Sequence, residues 1–187
     1  RAVVLGSGVA AVNAAILAFV KAGDHVLMVD SVYGPVRRFC DHFLKRFGVE
    51  VTYYDPCIGA GIDGLMRATT RIVYTESPGS QTFEMQDIPA IANAAHARGA
   101  VVILDNTWSA GVFFKPFAHG VDVSVQSATK YIGGHSDLMM GSIVTTDALW
   151  PRVRQSAADL GAPSGPDEAY LALRGLGDAD VRHPPPA

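Results

Sequence analysis

The chain is short of charge: Asp, Glu, Lys and Arg make only 18% of its 187 residues, below the roughly 25% of ordinary soluble domains. Extra apolar surface is therefore expected to be covered in a subunit interface, which makes the protein a homo-oligomer. The charges nearly balance, at net −3 with no basic cluster, and this argues against nucleic acid as a partner. Cysteine is scarcer still. Cys40 and Cys57 are too few and too far apart for a zinc ribbon, form no C-x-x-C and cannot staple a disulfide scaffold. The histidines are scattered without an H-E-x-x-H pair, so no metal site is expected. The longest apolar helix, about 9–20, is too short to span a bilayer and contains Asn13. No secretory signal opens the chain and no internal repeat is evident. A cytoplasmic enzyme without a membrane partner is expected. Arg1 stands where a start methionine would be, so the chain reads as an internal piece of a longer protein.

What is present is a regular alternation of strand and helix patterns. Strands are predicted at 2–5, 25–30, 49–54, 71–76, 101–105, 121–126 and 141–146, and helices at 8–22, 35–47, 87–98 and 147–158. Pro35, Pro89 and Pro151 fall at or near first turns, where a missing N–H costs nothing. Such an alternation makes an α/β fold, a mostly parallel sheet with helices on both faces. With 49% apolar residues, residues 1–160 are expected to bury one core. From Gly161 the composition shifts to Gly, Ala, Pro and Ser and closes on Pro184-Pro185-Pro186-Ala187. Residues 161–187 are therefore expected to be an irregular tail that begins a linker to a further domain.

Chemistry concentrates behind two of the strands. Residues 121–126 alternate apolar and polar side chains and deliver Ser127-Ala128-Thr129-Lys130 at a carboxyl strand end, the edge where open α/β sheets bind ligands. A half-buried pocket there would lower the lysine pKa by desolvation and suit imine formation with a carbonyl cofactor. Ser127 and Thr129 offer hydroxyls to a phosphate. Residues 101–104 are apolar without alternation, as in a strand buried on both faces, and end on Asp105. A buried carboxylate needs a cationic or hydrogen-bonding partner, and the pyridinium nitrogen of pyridoxal phosphate is one. Tyr33 sits in another strand-end loop. Trp108, Phe113 and Phe114 read as core or interface aromatics.

A rival pattern lies at the amino terminus. Gly6-Ser7-Gly8-Val9-Ala10-Ala11 fits G-x-G-x-x-A between a strand and an apolar helix, and Asp30 closes the next strand where a ribose-binding acid would stand. Taken alone this predicts a nicotinamide-dinucleotide site. The underlying physics serves any phosphate, because glycine permits close backbone approach and free helix-terminal amides bind the anion.

The run DVSVQSATKYIGGHS at 122–136, with ESPGS at 76–80 and DNTW at 105–108, resembles the cysteine/methionine-metabolism family of pyridoxal-phosphate enzymes. The stretches 24–27, 33–35, 47–49 and 54–60 are similar to the branch that acts by β-elimination, and together the blocks cover nearly the whole chain. The resemblance implies the large domain of fold-type I enzymes, which are aspartate aminotransferase-like. It implies pyridoxal 5'-phosphate held by Lys130, with backbone amides of Gly8 and Val9 on its phosphate, Tyr33 stacked on its ring and Asp105 on its ring nitrogen. Lys130, once released, would be the base, with Tyr33 assisting proton transfer. The implied reaction is carbon–sulfur cleavage of a small amino-acid thioether, L-cystathionine-like, to homocysteine, pyruvate and ammonia, a trans-sulfuration step of methionine biosynthesis. Gly79-Ser80 stands where γ-acting relatives usually carry an asparagine nearby, which favours β-elimination. The γ-acting branches and a catalytically silent binding module are the alternatives. The resemblance further implies a dimer of dimers. It also implies an amino-terminal arm and a carboxyl-terminal domain beyond this chain, and poor turnover without them. The Gly177-Asp178-Ala179-Asp180 run departs from the family's arginine-rich helix.

Overall fold

The computed structural model describes residues 1–182. Its strands are Ala2–Leu5 (β1), His25–Val29 (β2), Glu50–Tyr54 (β3), Thr70–Glu76 (β4), Val101–Asp105 (β5), Val123–Ser127 (β6) and Gly141–Thr145 (β7). They form one sheet in the order β1-β7-β6-β5-β4-β2-β3. The five strands from β6 to β3 run parallel, and β7 pairs antiparallel with both β6 and β1. β2 is buried at all five positions, and β4 and β5 are nearly so. Val26, Leu27, Ile72, Val73, Val102 and Ile103 therefore pack on both faces of the sheet, which is why these strands read as apolar runs without alternation.

The α-helices are Gly8–Leu17 (α1), Gly34–Arg38 (α2), Ile88–Ala97 (α3), Trp150–Asp159 (α4), Pro166–Gly177 (α5) and Ala179–Arg182 (α6). α1 starts where Ser7 Oγ accepts the Ala10 N–H at 3.1 Å, and α3 starts where Asp87 Oδ1 accepts the Ala90 N–H at 3.1 Å. Both caps satisfy donors that have no carbonyl ahead of them in the helix. α1 stops five residues earlier than predicted, and the chain turns back to β2 through Gly23 at φ +87, a left-handed conformation that favours glycine. The helix predicted at 35–47 divides, because α2 passes into a wider π-turn at Phe39–Leu44.

Two expectations are corrected here. The tail from 161 is not irregular over its described part. α5 begins with Pro166 at its first turn, carries Asp167 and Glu168 there and Arg174 in its last turn, all matched to helix ends and dipole. Residues 183–187, the end of that expected tail, lie outside the described residues. The dinucleotide reading also fails, on topology. That site needs β1 and β2 parallel and close in one mononucleotide unit, whereas β1 is an edge strand paired antiparallel with β7 and far from β2 in the sheet order. Asp30 is exposed and engages Arg37 instead. No described helix is long and apolar enough to cross a membrane.

Candidate active site

The carboxyl ends of β4, β5 and β6 and the amino end of α1 converge on a cleft of about 880 Å³. Gly8, Val9, Tyr33, Asp105, Ser127, Thr129 and Lys130 all line it, so the structure brings together every residue that the sequence nominated for a pyridoxal-phosphate site.

The floor is made by two acids. Glu76 ends β4, Asp105 ends β5, and the two are paired in register. They are 4% and 9% exposed. Asp105 Oδ1 accepts the Thr107 hydroxyl at 2.6 Å and the Thr107 N–H at 3.0 Å. Burial raises the Asp105 pKa, while the Thr107 bonds and the nearby Tyr74 hydroxyl favour the charged form. The Tyr74 hydroxyl faces this carboxylate without a hydrogen bond of good geometry. Glu76 is pushed up to about 8, first by burial and then by the charge of Asp105. Of two neighbouring carboxyls that repel each other, the one with the better donors keeps the charge. That one is Asp105, and near neutrality Glu76 holds the proton.

Lys130 stands at the other side of the cleft, in the turn after β6, where its N–H bonds back to the Ser127 carbonyl at 3.0 Å. It is exposed, not half-buried as expected, because the cleft is open above it. The α1 terminus supplies the third wall. The Gly8 and Val9 amides lie in the first helical turn, where no preceding carbonyl can bond them. A Cβ on Gly8 would lie 2.7 Å from the Ser127 Cβ and 2.8 Å from its Oγ, so glycine is required for this close approach. Thr129 is already engaged: its hydroxyl donates to the Met140 carbonyl at 3.2 Å and accepts the Met140 N–H at 3.0 Å. Its visible role is to fix the loop that carries Lys130.

Tyr33 is 46% exposed and projects from the start of α2. Trp108 lines the cleft and meets Phe83 edge-on at 5.2 Å and Tyr131 at 5.9 Å, so it belongs to the site and not to the core. Phe113 is 55% exposed, and Phe114 stacks on His119 at 4.6 Å. Glu76 is the residue that sequence reasoning passed over, although 71–76 ends an apolar strand on an acid just as 101–105 does.

The residues fit pyridoxal phosphate. A cradle that a Cβ would fill, two unbonded helix-terminal amides and the Ser127 hydroxyl suit a phosphate. A buried carboxylate whose two Thr107 bonds both fall on Oδ1 keeps capacity on Oδ2 for a ring N–H, and an exposed lysine faces the same cleft.

A parallel α/β sheet with a lysine, a buried aspartate and a phosphate cradle at its carboxyl edge defines a fold-type I pyridoxal-phosphate domain. Comparison with known proteins gives the family: residues 1–184 match the model of the Cys/Met metabolism PLP-dependent enzymes, and the chain belongs to that family. It is similar to a putative cystathionine β-lyase of Rhizobium johnstonii, 54% identical over 180 residues, covering 96% of this chain and 46% of that protein. It is 45% identical over 177 residues to the cystathionine β-lyase MetC of Escherichia coli, covering 94% of this chain and 45% of that protein. Among solved structures, cystathionine γ-lyase of Lactobacillus plantarum complexed with L-serine superposes with TM-score 0.93 at 35% identity, covering 96% of this chain and 47% of that one. The chain thus spans about half the length of the relatives it matches.

Proposed function

We propose that the protein carrying this chain is a carbon–sulfur lyase of the cystathionine β-lyase type, which cleaves L-cystathionine by β-elimination to homocysteine, pyruvate and ammonia. The observation that carries this reading is the buried, Thr107-bonded Asp105 on the floor of the cleft that Lys130 enters. The names of the relatives at 54% and 45% identity support the substrate.

Bound pyridoxal phosphate supplies an electron sink for the substrate's Cα electrons. Asp105 Oδ2 accepts the ring N–H and keeps that nitrogen protonated. Gly8 and Val9 amides, with the Ser127 hydroxyl, hold the phosphate. Lys130 Nζ would hold the cofactor, and as a free amine it would take the Cα proton as general base. The same ammonium, or the hydroxyl of Tyr33, which lines the same cleft, would return a proton to the departing sulfur. We read the protein as a cytoplasmic homo-oligomer, and the exposed Tyr170, Leu173 and Leu176 on α5 support the oligomer.

Incubation with L-cystathionine tests the reading. β-Elimination gives pyruvate with homocysteine, whereas 2-oxobutyrate with cysteine would move the assignment to the γ-lyases. Bound cofactor without either keto acid would favour a silent binding module.

A further inference from the structure

Glu76 has no part in the reaction as derived, yet it is buried, lines the cleft and touches both the floor and the wall. Its Oε2 accepts the Tyr33 N–H at 2.9 Å, and the nearby Ser80 hydroxyl favours its charged form against burial and the Asp105 charge. Glu76 is itself held, since Gln86 Nε2 donates to its carbonyl at 2.7 Å and Ser77 Oγ accepts the Gln86 N–H at 2.9 Å. The Ser80 N–H donates to the Ser31 carbonyl at 2.9 Å, which ties the loop after β4 to the loop after β2. On its other side the Tyr33 carbonyl accepts the Val36 and Arg37 N–H groups at 2.9 and 3.1 Å. Both backbone groups of Tyr33 are thus fixed, one by α2 and the other by Glu76 alone, while the ring is free to lie over the cleft.

We propose that Glu76 is a positioning residue, which holds the Tyr33 backbone from the end of the strand next to Asp105 and so sets where the Tyr33 ring stands over the cofactor ring. The part that concerns the cofactor rests on the proposed function. Glu76 performs this task as a neutral group near pH 7, since a protonated carboxyl still accepts an N–H. Its neutrality leaves Asp105 as the one negative charge on the floor. A second carboxylate so close would compete for the ring N–H, and a plain apolar residue would leave the Tyr33 N–H without a partner. Glu76 avoids both.

The test compares Glu76→Ala, Glu76→Gln, Tyr33→Ala and the double variant Glu76→Ala with Tyr33→Ala. Two readouts are taken: amide hydrogen exchange at residue 33 without cofactor, and the dissociation constant of pyridoxal phosphate. Loss of the anchor in Glu76→Ala is expected to speed exchange at 33 about tenfold or more and to weaken the cofactor by about tenfold. Glu76→Gln keeps an acceptor of the same length and is expected to restore both to within about threefold. In the Tyr33→Ala background no ring remains to be placed, so Glu76→Ala is expected to add little to the dissociation constant. Unchanged exchange at 33 in Glu76→Ala would overturn the proposal, as would additive losses in the double variant. If the wild type shows no Lys130-dependent absorbance band with pyridoxal phosphate, the cofactor reading fails by itself, and the exchange rates still decide the anchor.

Discussion

At the floor of the cleft Glu76 and Asp105 are 4% and 9% exposed, whereas at its rim Tyr33 and Met139 are 46% and 61% exposed, and Phe83, which packs on the rim residue Trp108, is 57% exposed. The floor is cut from neighbouring parallel strands, so its side chains are placed by register and their donors by the turn that follows. Asp105 meets Thr107 two residues on, and Thr107 Oγ1 in turn accepts the Ser127 N–H at 2.8 Å, which links the ends of β5 and β6. The rim comes from loops and short helices whose apolar side chains have few neighbours in this chain. A preorganised floor aims fixed dipoles and charges at a bound ring without reorganisation. An exposed apolar rim is surface that the rest of the protein, a second subunit or the substrate must cover.

Breaking the floor has the largest expected consequence. Asp105→Asn removes the charge that holds a ring N–H, and kcat is expected to fall by about a hundredfold or more, measured as pyruvate release from L-cystathionine. The same change removes the repulsion on Glu76, whose titration should then move toward lower pH.

A second floor experiment reads stability against pH. The folded pKa of Glu76 is raised from 4.5 to about 8, so its contribution is fully present below about pH 4.5 and is lost as pH rises through 8. Glu76→Gln cannot ionise. In urea unfolding at a series of pH values without cofactor, its stability relative to wild type is expected to improve between pH 5 and 8 by on the order of a few kcal/mol, then level off. A difference independent of pH would show that Glu76 does not hold its proton in the folded protein.

The rim should respond least. Phe83 has φ +62, a left-handed conformation that costs a bulky residue about 1 kcal/mol, and its edge contact with Trp108 returns about as much. Phe83→Gly loses both, and a net change within about 1 kcal/mol is expected by urea unfolding. A loss several times larger would mean that the rim is as preorganised as the floor.

The same contrast explains what the sequence made legible. Lys130 and Asp105 were readable because β5 is apolar to its last residue and the segment leading into β6 alternates, and a strand end in a parallel sheet is a defined place. Glu76 obeys the same rule at the end of β4, yet its importance lies in partners, Tyr33 43 residues away and Asp105 on the next strand, which no local pattern announces. The exposure of Lys130 was misjudged because burial at a strand end depends on what closes the cleft above it. The bonds of the Thr129 hydroxyl to the Met140 backbone were not legible, being a loop contact without periodicity. α5 was hidden by surrounding Gly, Ala, Pro and Ser, although Pro166, Asp167 and Glu168 followed by Arg174 carry the polarity of a helix. The glycine fingerprint marked a real close approach, Gly8 against Ser127 at the start of α1, and predicted the wrong fold, because strand order is not written in a single turn.

The central claim is that Lys130 is the residue that holds the cofactor. Its most direct measurement is the absorbance of the protein with pyridoxal phosphate, before and after borohydride reduction, beside Lys130→Ala. A band is expected that reduction fixes onto the peptide carrying Lys130 and that the variant lacks. A band that persists in Lys130→Ala, or a label on another peptide, would contradict it.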